Sequence, residues 1–154
     1  MDSASFVLGN ARNTLLSADT SLMRASYNSA AEKLHAISEK LSKDTVKKKT
    51  AIFLSDSFEQ LGNILNLLDN RKYLEKAINE SKQRIRDLTH DLNEDLIEKN
   101  KSGEYVVNEM NASEKISNTV KRSVEKANTS CVKLDSMKSQ IAFFADSLNF
   151  LRMK

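Results

Sequence analysis

Apolar residues recur along this chain at steps of three and four, a spacing that predicts helices over most of its length. Between Ser3 and Arg24, the residues Phe6, Leu8, Ala11, Leu15, Leu16, Ala18, Leu22 and Met23 place a stripe on one face of a first helix, with Ser3 as its cap. Ser26 offers an oxygen to cap a second helix, in which Tyr27, Ala30, Ala31, Leu34, Ile37 and Leu41 line one side. The small Ala30 and Ala31 would let a neighbouring helix come close. Asp44 or Thr45 is the expected cap of a third helix, whose stripe runs through Ile52, Phe53, Leu54, Phe58, Leu61, Ile64, Leu65 and Leu68. Three such stripes suffice to close a small core over residues 3–74.

Beyond that core the period tightens to the seven-residue repeat of a coiled coil. With Ile64 at position a, the seam reads Ile64, Leu67, Arg71, Leu74, Ile78, Ser81, Ile85, Leu88, Leu92 and Asp95, and it extends the third helix over 75–99 before fading. Asn100-Lys101-Ser102-Gly103 reads as the break. A carboxy-terminal coiled coil then occupies 104–154, with Met110, Ser117, Val124, Cys131, Lys138, Ala145 and Arg152 at a and Val106, Ser113, Val120, Ala127, Leu134, Ile141 and Leu148 at d. Met137, Phe144 and Leu151 widen its apolar face near the end. The fold class expected is therefore all-α: an amino-terminal three-helix bundle continuing into a long helical coiled-coil hairpin. The last helix outruns the seam it can fold back on, so Val120, Val124, Ala127, Cys131, Leu134, Ile141 and Leu148 are expected to serve oligomerisation, as a homodimer or a coiled-coil heteromer.

Composition supports the helical reading and narrows the chemistry. Among 154 residues there is no proline and there are three glycines, which leaves little of the punctuation that sheets and tight turns use. A net charge of +3 is too small to make nucleic-acid binding the default, and one cysteine excludes an internal disulfide. No run approaches the roughly 20 apolar residues of a membrane span, and no leader pattern precedes the first helix, so a cytoplasmic setting is expected, peripheral on endomembranes only through partners.

No catalytic constellation can be assembled from these residues, and neither an enzyme nor a cofactor is expected. His35 and His90 fall on different predicted helices, with no Cys or second His at ligand spacing, so no metal site is expected. Cys131 at an a position reads as a packed thiol, and Glu94 with Asp95 as part of a solvated face. Lys47-Lys48-Lys49 is the one basic run; it reads as a solubilising first turn, too weak for stable membrane insertion. Phe58-Glu59-Gln60-Leu61 has the aromatic-x-x-aliphatic form recognised by ubiquitin-like autophagy modifiers. That motif requires an extended strand, whereas both hydrophobes here fall on a predicted helix.

The segment from Asn10 to about Leu74 resembles an MIT domain, the three-helix microtubule-interacting and trafficking module. Ala11, Ala18-Asp19, Leu22, Tyr27, Ala30 and Leu41 match the family's Ala-Asp pair, its Tyr-x-x-Ala and its later Leu spacing. Within that family, the spacing from Ala18-Asp19 to Tyr27 and the run Asp56-Ser57 followed by Leu61, Ile64 and Leu65 look most like the accessory subunits of the autophagy form of the class III phosphatidylinositol 3-kinase complex. The resemblance implies a non-enzymatic adaptor that holds helical protein partners in a groove formed by Leu22, Tyr27, Leu34, Phe58, Leu61 and Leu65 and pairs through its coiled coil. The alternative is an obligate structural subunit of a hetero-oligomeric coiled-coil assembly of kinetochore, spindle, tether or lysosome-positioning type.

Overall fold

A computed structural model of the chain describes residues 2–41 and 47–150, with side chains as far as residue 147. Four helices carry them, α1 (Asp2–Ser17), α2 (Thr20–Leu41), α3 (Lys48–Asn93) and α4 (Lys99–Phe150), and no strand occurs among the described residues. The fold class is all-α, as the periodicity predicts. At 1.5 Å per residue, α3 is about 69 Å long and α4 about 78 Å.

The start of α2 departs from expectation. The stripe expected to run unbroken to Arg24 is interrupted at Ala18-Asp19, where the Asp19 carboxylate accepts a hydrogen bond from the Leu22 N–H at 2.9 Å. Asp19 is therefore the cap, and Ser26 lies inside the helix. An acidic N-cap also complements the positive end of the helix dipole. The caps expected at Asp44 and Thr45 fall outside the described residues; the Lys47 carbonyl accepts the first bonds of α3, from the N–H groups of Thr50 and Ala51 at 2.9 and 3.1 Å.

The turn between the long helices also lies earlier than the glycine suggests. α3 closes with the Leu96 N–H bonded to the Asp91 carbonyl at 2.8 Å, while Asp95 takes the left-handed conformation with φ of 51°. This is the Schellman closure, with Asp in the place glycine usually fills; its short polar side chain makes that conformation tolerable. The expected break at 100–103 is thus corrected to 94–98. Asn100 to Gly103 belong to α4, and no glycine has positive φ. A methyl group added at Gly103 meets nothing within 4 Å. Gly103→Ala should accordingly stabilise the chain by about 0.5–1 kcal/mol in thermal unfolding; a glycine needed for a left-handed turn would give a loss instead.

The chain divides into two compact units, each drawing on both long helices: Met1–Ala18 with Asp69–Val124, and Asp19–Leu68 with Glu125–Lys154. In the first, α1 buries Ala4, Leu8, Ala11 and Leu15, alternating steps of four and three, against a core that includes Leu74, Ile78, Ile85, Leu88, Val120 and Val124. Ser81 and Ser113 form a polar layer on the seam, their hydroxyls 3.4 Å apart. Arg84 grips the Glu109 carboxylate with its Nε at 3.0 and 3.2 Å. Arg71, the charged residue on an otherwise apolar seam, donates to the Ala18 carbonyl at 3.5 Å. That explains the charge, since a guanidinium suits the negative end of α1.

The second unit packs Met23, Ala30, Ala31, Leu34 and Ile37 of α2 with Leu61, Ile64 and Leu67 of α3 and Ala127, Cys131, Leu134 and Ile141 of α4. Its polar layer is larger. The Ser130 hydroxyl donates to Gln60 Oε1 at 2.9 Å and accepts from Asn63 Nδ2 at 3.2 Å, and Gln60 Nε2 reaches Asp56 at 3.1 Å. No buried side-chain nitrogen or oxygen among the described residues is left without a partner. Satisfied polar layers of this kind favour one helix register over its neighbours. Residue pairs such as Phe53 with Phe144 and Gln60 with Ser130 show α3 and α4 running antiparallel in this unit.

This grouping corrects the bundle expected over 3–74. α1 belongs with 69–124, and the third member of the α2 bundle is the second half of α4. α4 supplies a stripe to each unit, and each short helix covers a different stretch of the long pair. A bundle of α1, α2 and the start of α3 alone would leave that α4 ridge in water, at a cost of about 25 cal/mol for each Å² of apolar surface.

Candidate functional site

The second unit carries a groove between α2 and α4. α2 presents small side chains there, Ala25, Ser26, Ser29 and Ala30, and the space they leave is a cavity of about 300 Å³ whose far wall is Leu134 and Ile141. Lys33, Asp135 and Lys138 stand at its margin, exposed and with no ion pair among the described residues. Leu22 completes the lining and is 58% exposed. The site is an apolar slot with two cations and one carboxylate beside it.

Of the groove residues that the MIT resemblance implies, the structure places Leu22 in this slot. Leu34 and Leu61 are core residues, Tyr27 and Phe58 are half-buried, and Leu65 is exposed. Phe58 packs on His35 with ring centroids 5.5 Å apart. The segment Phe58-Glu59-Gln60-Leu61 is helical within α3, with Leu61 buried, so it does not offer an extended strand. The residues that sequence reasoning missed are Ala25, Ser26, Ser29, Lys33, Asp135 and Lys138. One signal was present in Lys138, a charged residue at an a position, where a covered seam would carry an apolar one.

Val120, Val124, Ala127, Cys131, Leu134 and Ile141, expected to seek a second chain, are all buried within the one chain. The Leu148 side chain lies outside the described residues. The reading of that ridge as exposed is corrected: α1, α2 and α3 cover it, as the unit composition shows. Burial pushes the Cys131 thiol above its ordinary pKa, against a smaller opposing effect of a hydrogen bond with Ser26. The folded chain therefore holds this proton more tightly than the unfolded chain does. The resulting stabilisation is complete below the ordinary thiol value and is lost as pH rises through the folded one. Denaturant midpoints measured upward from pH 9.0, the ordinary value, should fall for the native chain and fall less for Cys131→Ala.

Among the described residues no cluster of His, Cys, Asp and Glu can hold a metal ion, and no helix is long and apolar enough to cross a membrane. His90 lies exposed in the last turn of α3. No protein-family model, curated protein or solved structure matches the chain.

Proposed function

We propose that the chain is a non-enzymatic helical adaptor whose second unit receives an amphipathic helix of another protein in the slot between α2 and α4. The observation behind this reading is Leu22, a large apolar side chain standing in water at the edge of a cavity of about 300 Å³. A helix bringing one or two leucine-sized residues would cover Leu22 and fill the cavity, and burial of each such side chain contributes about 1.5–3 kcal/mol. Lys33 and Lys138 favour acidic residues flanking those anchors.

Docking of helices is also the role that the MIT resemblance implies. The setting in an endomembrane trafficking or autophagy complex, of the kind containing class III phosphatidylinositol 3-kinase, rests on that resemblance. The alternative, an obligate structural subunit of a hetero-oligomeric coiled-coil assembly, is supported by heptads that fill more of the chain than the amino-terminal stripes do.

The test is selection of peptides from a random helical display library on the purified chain. Selected sequences should carry Leu, Ile or Met at helical spacing with Asp or Glu beside them. Ser29→Trp, which plugs the slot from an exposed position, should weaken their binding about tenfold or more. Peptides that bind this variant as well as the native chain would overturn the proposal.

A further inference from the structure

The second unit has another exposed surface, distinct from the slot, where the start of α3 meets the second half of α4. Phe53 packs on Phe144 with centroids 5.4 Å apart, and Phe144 meets Phe143 edge-on at 6.2 Å. In right-handed helices running antiparallel, stepping back one residue from two facing positions turns both side chains to the same side of the pair. Ile52 and Phe143 therefore emerge together, and they are 58% and 68% exposed. Lys48 and Lys49 precede Ile52 by four and three residues, so they stand over the same face, one turn away. Lys47, Lys48 and Lys49 are exposed, and none of their ammonium groups has an ion-pair partner among the described residues.

We infer that this face is a contact site for an anionic lipid bilayer, with Ile52 and Phe143 entering the headgroup boundary and the three lysines lying against the phosphates. The two apolar side chains are exposed on the side of the helix pair that carries the lysines, the combination of greasy and cationic residues that an anionic bilayer surface complements. The lysines lie on the amino-terminal side of Ile52, while Asp56 and Glu59, four and seven residues after it, place carboxylates farther along the same face, so the lysine end is the one that meets the phosphates. Each lysine near an anionic surface strengthens partitioning by about fivefold, so three give at most roughly 100-fold against the opposing charge of Asp56 and Glu59, a reversible contact rather than an anchor. The inference goes beyond helix docking, since it concerns different residues and a different class of ligand.

The test uses the full chain with phosphatidylcholine vesicles, with and without phosphatidylserine. Tryptophan is absent from the sequence, so F143W provides a single reporter. Binding is expected to require phosphatidylserine, to weaken with salt, and to shift the F143W emission to the blue with quenching by brominated lipid. Reversing all three lysines to glutamate should reduce binding by more than about 100-fold, and replacing Ile52 and Phe143 with serine should abolish insertion with helix content unchanged. Ser29→Trp should bind vesicles like the native chain, which separates a failure here from a failure of the slot. Absence of binding at low salt, equal binding by the lysine reversal, or tight binding to soluble polyglutamate with no blue shift on vesicles would overturn the inference. The last result would mark an acidic-protein site.

Discussion

Replacing Leu8 and Leu15 together with alanine should remove at least about 4 kcal/mol of stability from the unit formed by α1 and residues 69–124, enough to unfold a unit of ordinary stability. Both leucines are fully buried and lie two turns apart, about 10 Å along α1, so their losses should nearly add. Native-state hydrogen exchange identifies where the loss falls. Amides in 69–124 should lose protection first, since those segments share the core with α1. A chain in which α1 closed on α2 and the start of α3 would lose it in 19–74 instead. This experiment therefore distinguishes the two ways of pairing the same apolar stripes.

The second large effect lies in α4. Leu134 and Ile141 are 3% and 2% exposed within the second unit, and changing both to aspartate puts two carboxylates into an apolar core, with Lys33 and Lys138 only at the margin of the adjoining slot. Lost burial and charge desolvation together should exceed about 5 kcal/mol. Were the same residues on the outer face of a rod, the substitution would separate two chains and leave the helices intact. Here the circular dichroism signal of the second unit should collapse with no dependence on protein concentration. Sedimentation of the native chain and the variant, run beside the melts, checks this.

Much of the architecture was legible because coiled-coil seams are read from spacing alone. Ile64, Leu67, Leu74, Ile78, Ile85 and Leu88 are buried as the heptads require. Even the polar exceptions were placed on the seam: Ser81 and Ser113 face each other, and Arg71 caps α1. The misplaced turn has a plain cause. Gly103 is the usual sign of a left-handed residue, but here it is helical and Asp95 takes that conformation. The seam's fading at Asp95 was the better indicator. Asp19, half of the Ala-Asp pair on which the resemblance rests, also caps α2 with its carboxylate, a role its spacing alone does not reveal. Which stripe mates with which was not legible, because apolar faces of equal width are interchangeable until the long helices fix their partners in space. For the same reason the slot was half visible. The small residues of α2 announced a close approach, but nothing in their spacing says that Leu134 and Ile141 form the opposite wall.

The division of α3 and α4 between two cores has a consequence for how the molecule is made. Residues 19–68 share their unit with 125–150, so 56 residues (69 through 124) must be translated between the two parts of one core. At ordinary rates of synthesis that interval is roughly 3–11 s. During it the nascent chain displays Met23, Leu34, Ile37 and Ile64 with part of their covering still unmade. A cellular chaperone that recognises greasy helices has its opportunity in those seconds, and ribosomes stalled before residue 125 should hold it bound.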